Sequence, residues 1–221
     1  MFCMVKNKPS FSTAARFLPP VRTLPRLRDA ALGCRGCDLY LRATQTVFGE
    51  GAKSASIMLV GEQPGDKEDL AGQPFVGPAG KILDEALAEA GLARSEVYVT
   101  NAVKHFSWEA NERGKRRIHK KPRYSEIQAC RPWLDSEIEA LRPEVIVCMG
   151  STAAQALLGK DFSVLRQRGT FVPSNHAPWV LATVHPSSIL RARNDRQDQM
   201  QAFVRDLKVV ATQIRKLRRA A

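Results

Sequence analysis

Compact apolar runs alternate with amphipathic stretches along most of the chain. The apolar runs have the length of buried strands, and the amphipathic stretches have the three-to-four-residue period of helices. The predicted strands are Ile57–Gly61, Val97–Thr100, Val145–Met149 and Trp179–Thr183. The predicted helices are Leu24–Leu32, Pro78–Ala90, Ser125–Leu141, Ser151–Leu158 and Arg196–Arg219, and a hairpin-like stretch is predicted near Val164–Val172.

This alternation predicts the fold class. Strands that alternate with helices pair in parallel, with the helices on both faces of the sheet. We therefore expect an α/β protein, a three-layer α/β/α sandwich around a central parallel four-stranded sheet. Residues 23–221 are predicted to form one domain, which ends in a basic helix and follows a flexible basic arm at residues 1–22. The alternative is a two-part chain in which residues 1–45 dock as a separate metal-bearing lobe.

The formal net charge of +12 is concentrated in three segments. Residues 1–28 hold six basic residues and no acid, residues 104–123 hold eight against two acids, and residues 199–221 hold six against one. The rest of the chain is mildly acidic, whereas a solvated surface usually intersperses the two signs. This clustering favours a polyanionic partner, most often nucleic acid. Solubilising tails are the alternative for the two termini.

The composition excludes several classes of protein. Hydrophobic residues make up 44% of the chain and charged residues 25%, as in folded globular proteins. Apolar runs such as Val145–Met149 fall far short of the ~20 residues that a membrane helix needs. Five cysteines in this length do not make a disulfide scaffold. We therefore expect a cytoplasmic protein, a monomer by default and without a membrane partner, whose thiols serve as metal ligands.

Four of the cysteines form a ligand-like pattern. Cys34 and Cys37 form a C-x-x-C pair that ends a predicted helix, Cys130 lies in a later helix, and Cys148 ends a strand. The pattern predicts that all four bind one metal centre, and their spacing leaves zinc and a [4Fe–4S] cluster both open. Thioredoxin-type redox pairs open a helix, which makes that role for the C-x-x-C pair a weaker alternative. Cys130 and Cys148 as plain core residues are another.

Three loops leave the carboxyl ends of the predicted strands, at residues 62–77, 102–123 and 185–191. Ligands of open parallel sheets bind at those ends. The first loop contains two turns rich in Gly and Pro, whose tight backbone can direct amide N–H groups at a ligand oxygen. The loops also contain three of the four histidines, His105, His119 and His185. We therefore expect the chemistry at this edge of the sheet.

Ordered motifs in these loops are Gly61-Glu62-Gln63-Pro64-Gly65-Asp66, Phe75-Val76-Gly77, Thr100-Asn101-Ala102-Val103-Lys104 and His185-Pro186-Ser187. Together with the four-cysteine spacing they resemble the iron–sulfur uracil-DNA glycosylases, over roughly Cys34 to Arg191. Within that family, Gln63 and the insertion Lys115-Arg116-Arg117-Ile118-His119 are similar to the X-type branch. That branch becomes covalently attached to uracil-containing DNA.

The resemblance implies how uracil is held. An enzyme that acts on a base in DNA extrudes it into a pocket, and an aromatic platform offsets part of that cost. Phe75 is the expected platform, and Asn101 offers the donor and acceptor that suit the pyrimidine edge. Gly61 and Gln63 are expected to line the same pocket, Gln63 through nearby backbone amides. His185 is expected to contact the uracil as well. A core phenylalanine and a turn-forming asparagine are the bland alternatives.

The resemblance also implies catalytic roles. His185 is expected to donate a hydrogen bond to the departing uracil oxygen, assisted by the backbone around Gln63. Glu62 or Asp66 is expected to stabilise the cationic sugar or to orient a nucleophile, with Glu62 taking the larger part. His119 is expected to attack the anomeric carbon, C1′, where other enzymes use water. Without the resemblance, a histidine in a basic run is most often a passive surface residue.

The predicted function is therefore excision of uracil from single- and double-stranded DNA, followed by covalent linkage of His119 to the abasic site. DNA contacts are expected from Lys115, Arg116, Arg117, Ser187 and Arg191. The cofactor implied by the resemblance is a [4Fe–4S] cluster with a structural role, and zinc is the alternative. Two other functions stay open, namely a conventional glycosylase that turns over and a non-catalytic metal-bearing module that binds nucleic acid.

Overall fold

The predicted strands form at the apolar runs and lie side by side in one sheet. The structure, a computed structural model, describes residues 13–111 and 116–220. The strands in that part of the chain are β1 (Ile57–Gly61), β2 (Val97–Asn101), β3 (Trp108–Ala110), β4 (Arg117–His119), β5 (Val145–Met149), β6 (Phe171–Val172) and β7 (Trp179–Thr183). The sheet has the order β2-β1-β5-β7-β6, and β3 pairs with β4 as a separate antiparallel hairpin.

Helices cover both faces of this sheet, which gives the expected three layers. The α-helices are α1 (Leu24–Ala31), α2 (Asp66–Ala71), α3 (Pro78–Ala90), α4 (Tyr124–Leu141), α5 (Ser151–Leu158), α6 (Val164–Gln167), α7 (Pro186–Arg191) and α8 (Arg196–Ala220). Alternate residues of each strand point to opposite faces. Met58 and Val60 pack with helices α1, α4 and α5, whereas Ile57 and Leu59 pack with α3 and α8. The α/β class is therefore confirmed.

The prediction of a central parallel four-stranded sheet was wrong in strand number, because the sheet has five strands. Strands β1, β2, β5 and β7 are parallel as expected. A fifth strand, β6, pairs antiparallel with the edge of β7, which makes the sheet mixed. Because β6 has only two residues, its apolar alternation is too short to mark a strand. The hairpin-like stretch predicted near residues 164–172 contains the short helix α6 followed by β6.

The loops expected to carry the chemistry contain short elements of their own. Helix α2 lies within residues 62–77, the β3–β4 hairpin within residues 102–123, and α7 within residues 185–191. Each has six residues or fewer, so its periodicity was not visible in the sequence. Helix α4 begins at Tyr124, one residue before the predicted start, and the carboxylate of Glu126 accepts from the backbone N–H of Arg123 at 2.6 Å.

Part of the predicted N-terminal arm lies outside the described residues. In the described part, Ala14 is fully buried and belongs to the same core as α1 and α4. The backbone at Gly36 approaches so closely that a Cβ there would lie 2.6 Å from the Ala14 nitrogen. Ala14, Phe17 and Leu18 thus pack onto the domain, in a segment that the sequence predicted as a flexible arm. No helix in the described part of the chain is long and apolar enough to cross a membrane.

Candidate active site

Polar side chains gather where the parallel strands end. Gly61 and Asn101 are the last residues of β1 and β2, and His185 caps α7 two residues after β7. Since the carboxyl ends of parallel strands lie at one edge of a sheet, these residues are neighbours. The β3–β4 hairpin brings His119 to the same edge, where its Nε2 lies 2.8 Å from Nε2 of Gln63.

A cavity of about 220 Å³ lies at this edge and is called the small cavity below. Residues that the sequence placed in the site line it, namely Gln63, Phe75, Asn101, His119 and His185. They come from four separate loops or strand ends. The structure therefore brings together residues that are up to 122 positions apart in the sequence.

Phe75 is held in the small cavity by an unusual backbone. Its φ of +58° is in the left-handed region, which a bulky side chain rarely adopts and which often marks a functional site. Gly80 permits this turn, because a Cβ there would lie 1.7 Å from the carbonyl oxygen of Phe75. Gly61 leaves the space beside the ring, since its Cβ would lie 2.7 Å from Cζ of Phe75. The ring of Phe75 also stacks near that of His185, with centroids 6.1 Å apart.

Asn101 presents an unused acceptor to the small cavity. The residue is only 2% exposed, and its Oδ1 has no hydrogen-bond partner among the described residues. Leaving a buried polar atom unpaired costs about 1–3 kcal/mol, so such atoms are rare in folded proteins. A Cβ at Gly61 would lie 2.3 Å from this oxygen and would block it. The arrangement suits a ligand that donates a hydrogen bond here.

A buried ion pair supports Asn101 from behind. Lys104 and Glu137 are both fully buried and form a short ion pair. Nζ of Lys104 also donates to the carbonyl oxygen of Asn101 at 2.7 Å and to the hydroxyl of Thr100 at 2.6 Å. Glu137 accepts from the hydroxyl of Tyr98 at 2.8 Å. Burial first, and then the charge of Glu137, raise the pKa of that hydroxyl far above its usual range.

His185 is neutral and has a fixed tautomer. Its Nδ1 accepts from the backbone N–H of Ser187 at 3.2 Å and lies 2.8 Å from the Ser187 hydroxyl, so the ring proton is on Nε2. Burial, and then the neighbouring charges of His119 and Arg191, lower the pKa of His185 to about 4. Arg191 donates to the hydroxyl of Ser187 at 3.2 Å. Ser187 and Arg191, which the sequence assigned to DNA binding, thus also orient His185.

Glu62 and His119 face each other at the edge of a larger cavity. This large cavity, of about 740 Å³, has both residues in its lining together with His185. Oε1 of Glu62 lies 3.4 Å from Nε2 of His119. The other oxygen of Glu62 accepts a short hydrogen bond from the hydroxyl of Thr152, at the start of α5. The imidazole of His119 is 50% exposed, so it can reach a ligand that enters from solvent.

Gln63 joins the hairpin to the strand end. Its Oε1 accepts from the backbone N–H of Ser107 at 2.8 Å, which fixes the amide orientation. Its Nε2 faces the carbonyl oxygens of Lys120 and Ser107 at 3.0 and 3.2 Å and His119 Nε2 at 2.8 Å. An amide nitrogen only donates, so Nε2 of His119 accepts and carries no proton. In this tautomer the imidazole has its lone pair on the nitrogen nearest Glu62.

Arg117 holds the hairpin onto α2. Its guanidinium pairs with Asp66 at 2.6 Å and with the fully buried Asp69. The same group lies over the rings of Phe106 and Trp108, at 5.4 and 5.6 Å from their centroids. Asp66 was expected in the catalytic site, but its carboxylate lies in this cluster and not in the lining of either cavity. Arg117, expected to bind DNA, is engaged by these two carboxylates.

The remaining predicted DNA contacts have different positions. Lys115 lies outside the described residues. Arg116 is exposed just before β4, and its backbone N–H donates to the side chain of Asn111 at 3.1 Å. Its guanidinium therefore lies at the surface next to the strand that carries His119.

Comparison with known proteins gives the family of this fold. The Uracil DNA glycosylase superfamily profile matches residues 48–208. The chain belongs to the uracil-DNA glycosylase superfamily. The matched region contains every strand of the sheet and all the residues that line the small cavity. The resemblance drawn from the loop motifs is therefore confirmed at the level of the superfamily.

Several members of the superfamily are similar over most of their length. The type-4 uracil-DNA glycosylase of Thermotoga maritima is 39% identical, over 73% of this chain and 80% of its own. That of Archaeoglobus fulgidus is 38% identical, over 78% of this chain and 85% of its own. That of Sulfurisphaera tokodaii is 34% identical, over 85% of this chain and 86% of its own. The similarity therefore extends well beyond the motifs.

The four cysteines of this superfamily member share one layer. Cys34, Cys37, Cys130 and Cys148 all lie in or against the core between the sheet and helices α1 and α4. Trp133 donates to Sγ of Cys34 at 3.1 Å, and the backbone N–H of Lys104 donates to Sγ of Cys130 at 3.2 Å. Burial is the main cause that raises the pKa of Cys37 to about 11 and of Cys130 and Cys148 to about 12.

The four thiols fit a [4Fe–4S] cluster by their chemistry, and a zinc ion is the alternative. Thiolates bound to one zinc lie ~2.3 Å from it and hence only ~3.8 Å from one another. In the described part of the chain, no group of three His, Cys, Asp or Glu side chains is close enough to hold one metal ion. A [4Fe–4S] cluster is wider, because each thiolate binds a different iron. N–H groups directed at the sulfurs are also typical of cluster ligands.

Sequence reasoning missed the residues that hold this superfamily site together. Glu68, 8% exposed, accepts from the backbone N–H of Gly65 at 3.1 Å and of Gly77 at 2.7 Å. It therefore joins the two turns of the first loop. The pair Lys104–Glu137 and the contact of Thr152 with Glu62 were missed as well. An acidic residue inside a Gly/Pro-rich loop was the one available signal for Glu68.

Proposed function

We propose that this chain excises uracil from single- and double-stranded DNA and then bonds to the abasic sugar through His119. One observation carries the proposal. The half-exposed imidazole of His119 shares the small cavity with Phe75 and Asn101, the residues suited to hold a flipped base. Membership of the superfamily and the names of the type-4 relatives support the excision step.

Recognition of uracil follows from the unpaired oxygen of Asn101. The N3–H of uracil donates to Oδ1 of Asn101, and O4 of uracil accepts from its Nδ2. Cytosine has an acceptor at N3 and a donor at C4, so it leaves both contacts unmet. Phe75 stacks on the extruded ring, which stabilises the flipped base by ~1–3 kcal/mol and offsets part of the cost of extrusion.

Cleavage breaks the bond between N1 of uracil and C1′ of deoxyribose. The bonding electron pair leaves with the uracil, and the negative charge spreads to its O2. His185, neutral with its proton on Nε2, donates a hydrogen bond to that oxygen. The sugar becomes cationic at C1′, and the carboxylate of Glu62 stabilises this charge from the other side of the cleft.

Capture follows at the same carbon. The lone pair on Nε2 of His119 forms a bond to C1′, and Nδ1 then releases its proton to solvent. The attack requires the imidazole to turn away from the Gln63 amide, which lies 2.8 Å away in the free protein. Imidazole bound through this carbon–nitrogen bond is a poor substrate for hydrolysis, so the product is a lasting adduct.

A [4Fe–4S] cluster held by Cys34, Cys37, Cys130 and Cys148 is part of the proposal. When bound, it supplies structural cross-linking between α1, α4 and β5 and no step of the reaction. The raised thiol pKa values mean that the free thiols are protonated, so binding of iron releases protons from Cys37, Cys130 and Cys148.

A denaturing gel tests the proposal directly. The purified protein is incubated with fluorescent single-stranded DNA that contains one uracil, heated in detergent and separated. We expect a shifted band in which protein and DNA remain joined. His119→Ser removes the band, and alkaline cleavage of the DNA then measures how much base release persists. His176→Ser is the matched control, because His176 lies at the opposite edge of the sheet, just before β7.

Each outcome has a definite meaning. A band that forms with His119→Ser as well as with the unchanged protein excludes capture by this residue. Free abasic product without a band shows an enzyme that turns over, since water then reaches C1′ before the imidazole does. Intact uracil DNA after incubation with protein of full iron content excludes the glycosylase function itself.

A further inference from the structure

Tyr124 has an environment unlike that of the other aromatic residues. It begins α4 and is 69% exposed, whereas every other aromatic side chain in the described residues is buried or half-buried. Exposing a large ring has no stabilising effect on the fold. An exposed aromatic ring at the edge of a binding cleft is typical of a stacking surface for bases.

Tyr124 lines a third cavity, of about 150 Å³, that adjoins the large cavity. Gln155 and Lys160 belong to the lining of both. Thr152, another lining residue, donates a hydrogen bond to Glu62 of the active site. One continuous surface therefore leads from the proposed reaction centre to Tyr124.

The length of the chain between His119 and Tyr124 limits how far Tyr124 lies from the proposed reaction centre. Tyr124 follows His119 by five residues, which span at most ~17 Å even when fully extended. The segment between them contains the buried Pro122, which fixes its path against the domain. A nucleotide next to the flipped uracil, or the one after it, lies within this range.

The chemistry of the third cavity suits a nucleic-acid strand. Its polar lining consists of Lys121, Gln128, Thr152, Gln155, Lys160 and the Tyr124 hydroxyl, without a carboxylate. In the described part of the chain, neither Lys121 nor Lys160 forms an ion pair. Cations without acidic neighbours attract phosphates, and amide side chains adapt to the edges of different bases.

We propose that this third cavity is a subsite for a nucleotide that flanks uracil in a single strand. The base stacks on Tyr124, and the adjacent phosphates contact Lys121 and Lys160. The inference rests on the proposed function, because it assumes that uracil-containing DNA occupies the neighbouring cleft. It predicts that unpaired DNA binds more tightly than paired DNA, since the flanking base must be unstacked to reach Tyr124.

Binding measurements with Tyr124→Ala test this subsite. The probe is fluorescent single-stranded DNA with one 2′-fluoro-2′-deoxyuridine, whose fluorine slows cleavage by disfavouring a cationic sugar. Oligonucleotides are shortened one nucleotide at a time, in one series from the 5′ side and in another from the 3′ side. We expect Tyr124→Ala to weaken binding of the longest probe about five- to a hundredfold, and Tyr124→Phe to bind like the unchanged protein.

The dependence of affinity on oligonucleotide length identifies the side of the uracil, 5′ or 3′, on which the contacted nucleotide lies. Shortening on that side weakens binding by the unchanged protein and has no effect on Tyr124→Ala. Lys121→Ala and Lys160→Ala each lower the slope of log affinity against log salt by about one. Lys208→Ala is the control, because this exposed lysine lies on α8 at the other face of the sheet, and its slope stays unchanged.

The inference and the proposed function fail in different ways. Equal affinity of Tyr124→Ala and the unchanged protein for every probe overturns the subsite, whether or not uracil is excised. Loss of affinity that is the same for every length, together with a lowered Tm, also overturns it, since it indicates a folding defect. Uracil that stays intact in a parallel excision assay overturns the glycosylase function. If binding still depends on oligonucleotide length, the subsite itself is not overturned.

Discussion

The small cavity and the β3–β4 hairpin are built in opposite ways. Asn101 is 2% exposed and is supported by a fully buried ion pair, so the pocket proposed for the base is preformed. His119 is 50% exposed on a three-residue strand, and side chains such as Arg117 and Gln63 hold the hairpin to the domain. A rigid pocket suits recognition of a flat base, whereas an exposed imidazole suits attack on a sugar that changes shape.

From this difference we expect that uracil excision and covalent capture can be altered separately, because different residues carry them. In the proposed reaction Asn101, Phe75 and His185 act on the uracil, and His119 acts on the sugar afterwards. Gln63 is the direct connection, because its amide contacts both the hairpin backbone and the imidazole. Changes behind the small cavity should therefore alter stability and excision, and changes in the hairpin should alter the adduct alone.

The largest effect is expected from Lys104→Met. The substitution leaves the carboxylate of Glu137 buried without a cation, which typically destabilises a protein by about 3–5 kcal/mol. Urea denaturation measures the free energy of unfolding. The double variant Lys104→Met with Glu137→Gln should recover most of the loss, because an amide oxygen can still accept from Tyr98. A single variant as stable as the unchanged protein would contradict the buried ion pair.

Asn101→Ala tests the recognition side of the comparison. Removing both hydrogen-bonding groups should lower kcat/KM for uracil excision about a hundredfold. The yield of adduct should fall in parallel, because His119 captures the sugar cation that forms only when uracil leaves. The fraction of cleaved DNA that becomes adduct should stay unchanged, since Asn101 contacts the base and not the sugar. A lower fraction of adduct per cleaved DNA would assign Asn101 a role in holding the sugar instead.

The order of strands and helices predicted which loops meet, whereas the roles of single residues came from the family resemblance. Glu62, Gln63 and Asn101 lie at or just after the ends of apolar runs, and the topology of parallel strands brings such positions together. Phe75 and His119 required the resemblance to a family, because nothing in their neighbours distinguishes a base platform or a nucleophile from a core or surface residue. The structure places both in the lining of the small cavity.

Contacts between distant segments were not predictable. Glu137 is 33 residues from Lys104, and Asp66 is 51 residues from Arg117. Charge counting therefore treated Arg117 as one of several free cations near DNA, although acidic side chains on α2 engage it. The ion pair that supports Asn101 was hidden for the same reason, since a lysine after a strand gives no sign that it is buried.

Arg117→Gln tests the hairpin side. Loss of the ion pairs with Asp66 and Asp69 should loosen the position of His119 and slow adduct formation about tenfold, while uracil excision changes little. Rapid-quench gels with saturating DNA measure both rates on one sample. Arg116→Gln is the matched change one residue away, and it should weaken DNA binding without slowing adduct formation at saturation. Equal slowing of excision and capture by Arg117→Gln would show that the hairpin also shapes the small cavity.

The smallest predicted effect concerns the pH dependence of stability. It should arise from buried side chains and not from the exposed hairpin. His105, in the segment between β2 and β3, is 4% exposed, and its Nε2 lies 3.0 Å from the hydroxyl oxygen of Thr46. Burial lowers its pKa to about 4, whereas an unfolded histidine titrates near ~6.5. The unfolded state therefore binds more protons between these values, and stability is lost as the pH falls through this window.

From pH 7.5 to pH 6, His105 alone should account for a loss of about 0.8 kcal/mol in the free energy of unfolding. His105→Gln keeps a polar contact to Thr46 and removes the titration, so its stability should fall less over the same interval. His176→Gln is the control, because this histidine is only half-buried and the direction of its pKa shift is the same. If His176→Gln flattened the pH dependence of stability more than His105→Gln, the buried imidazole of His105 would not be the source of that dependence.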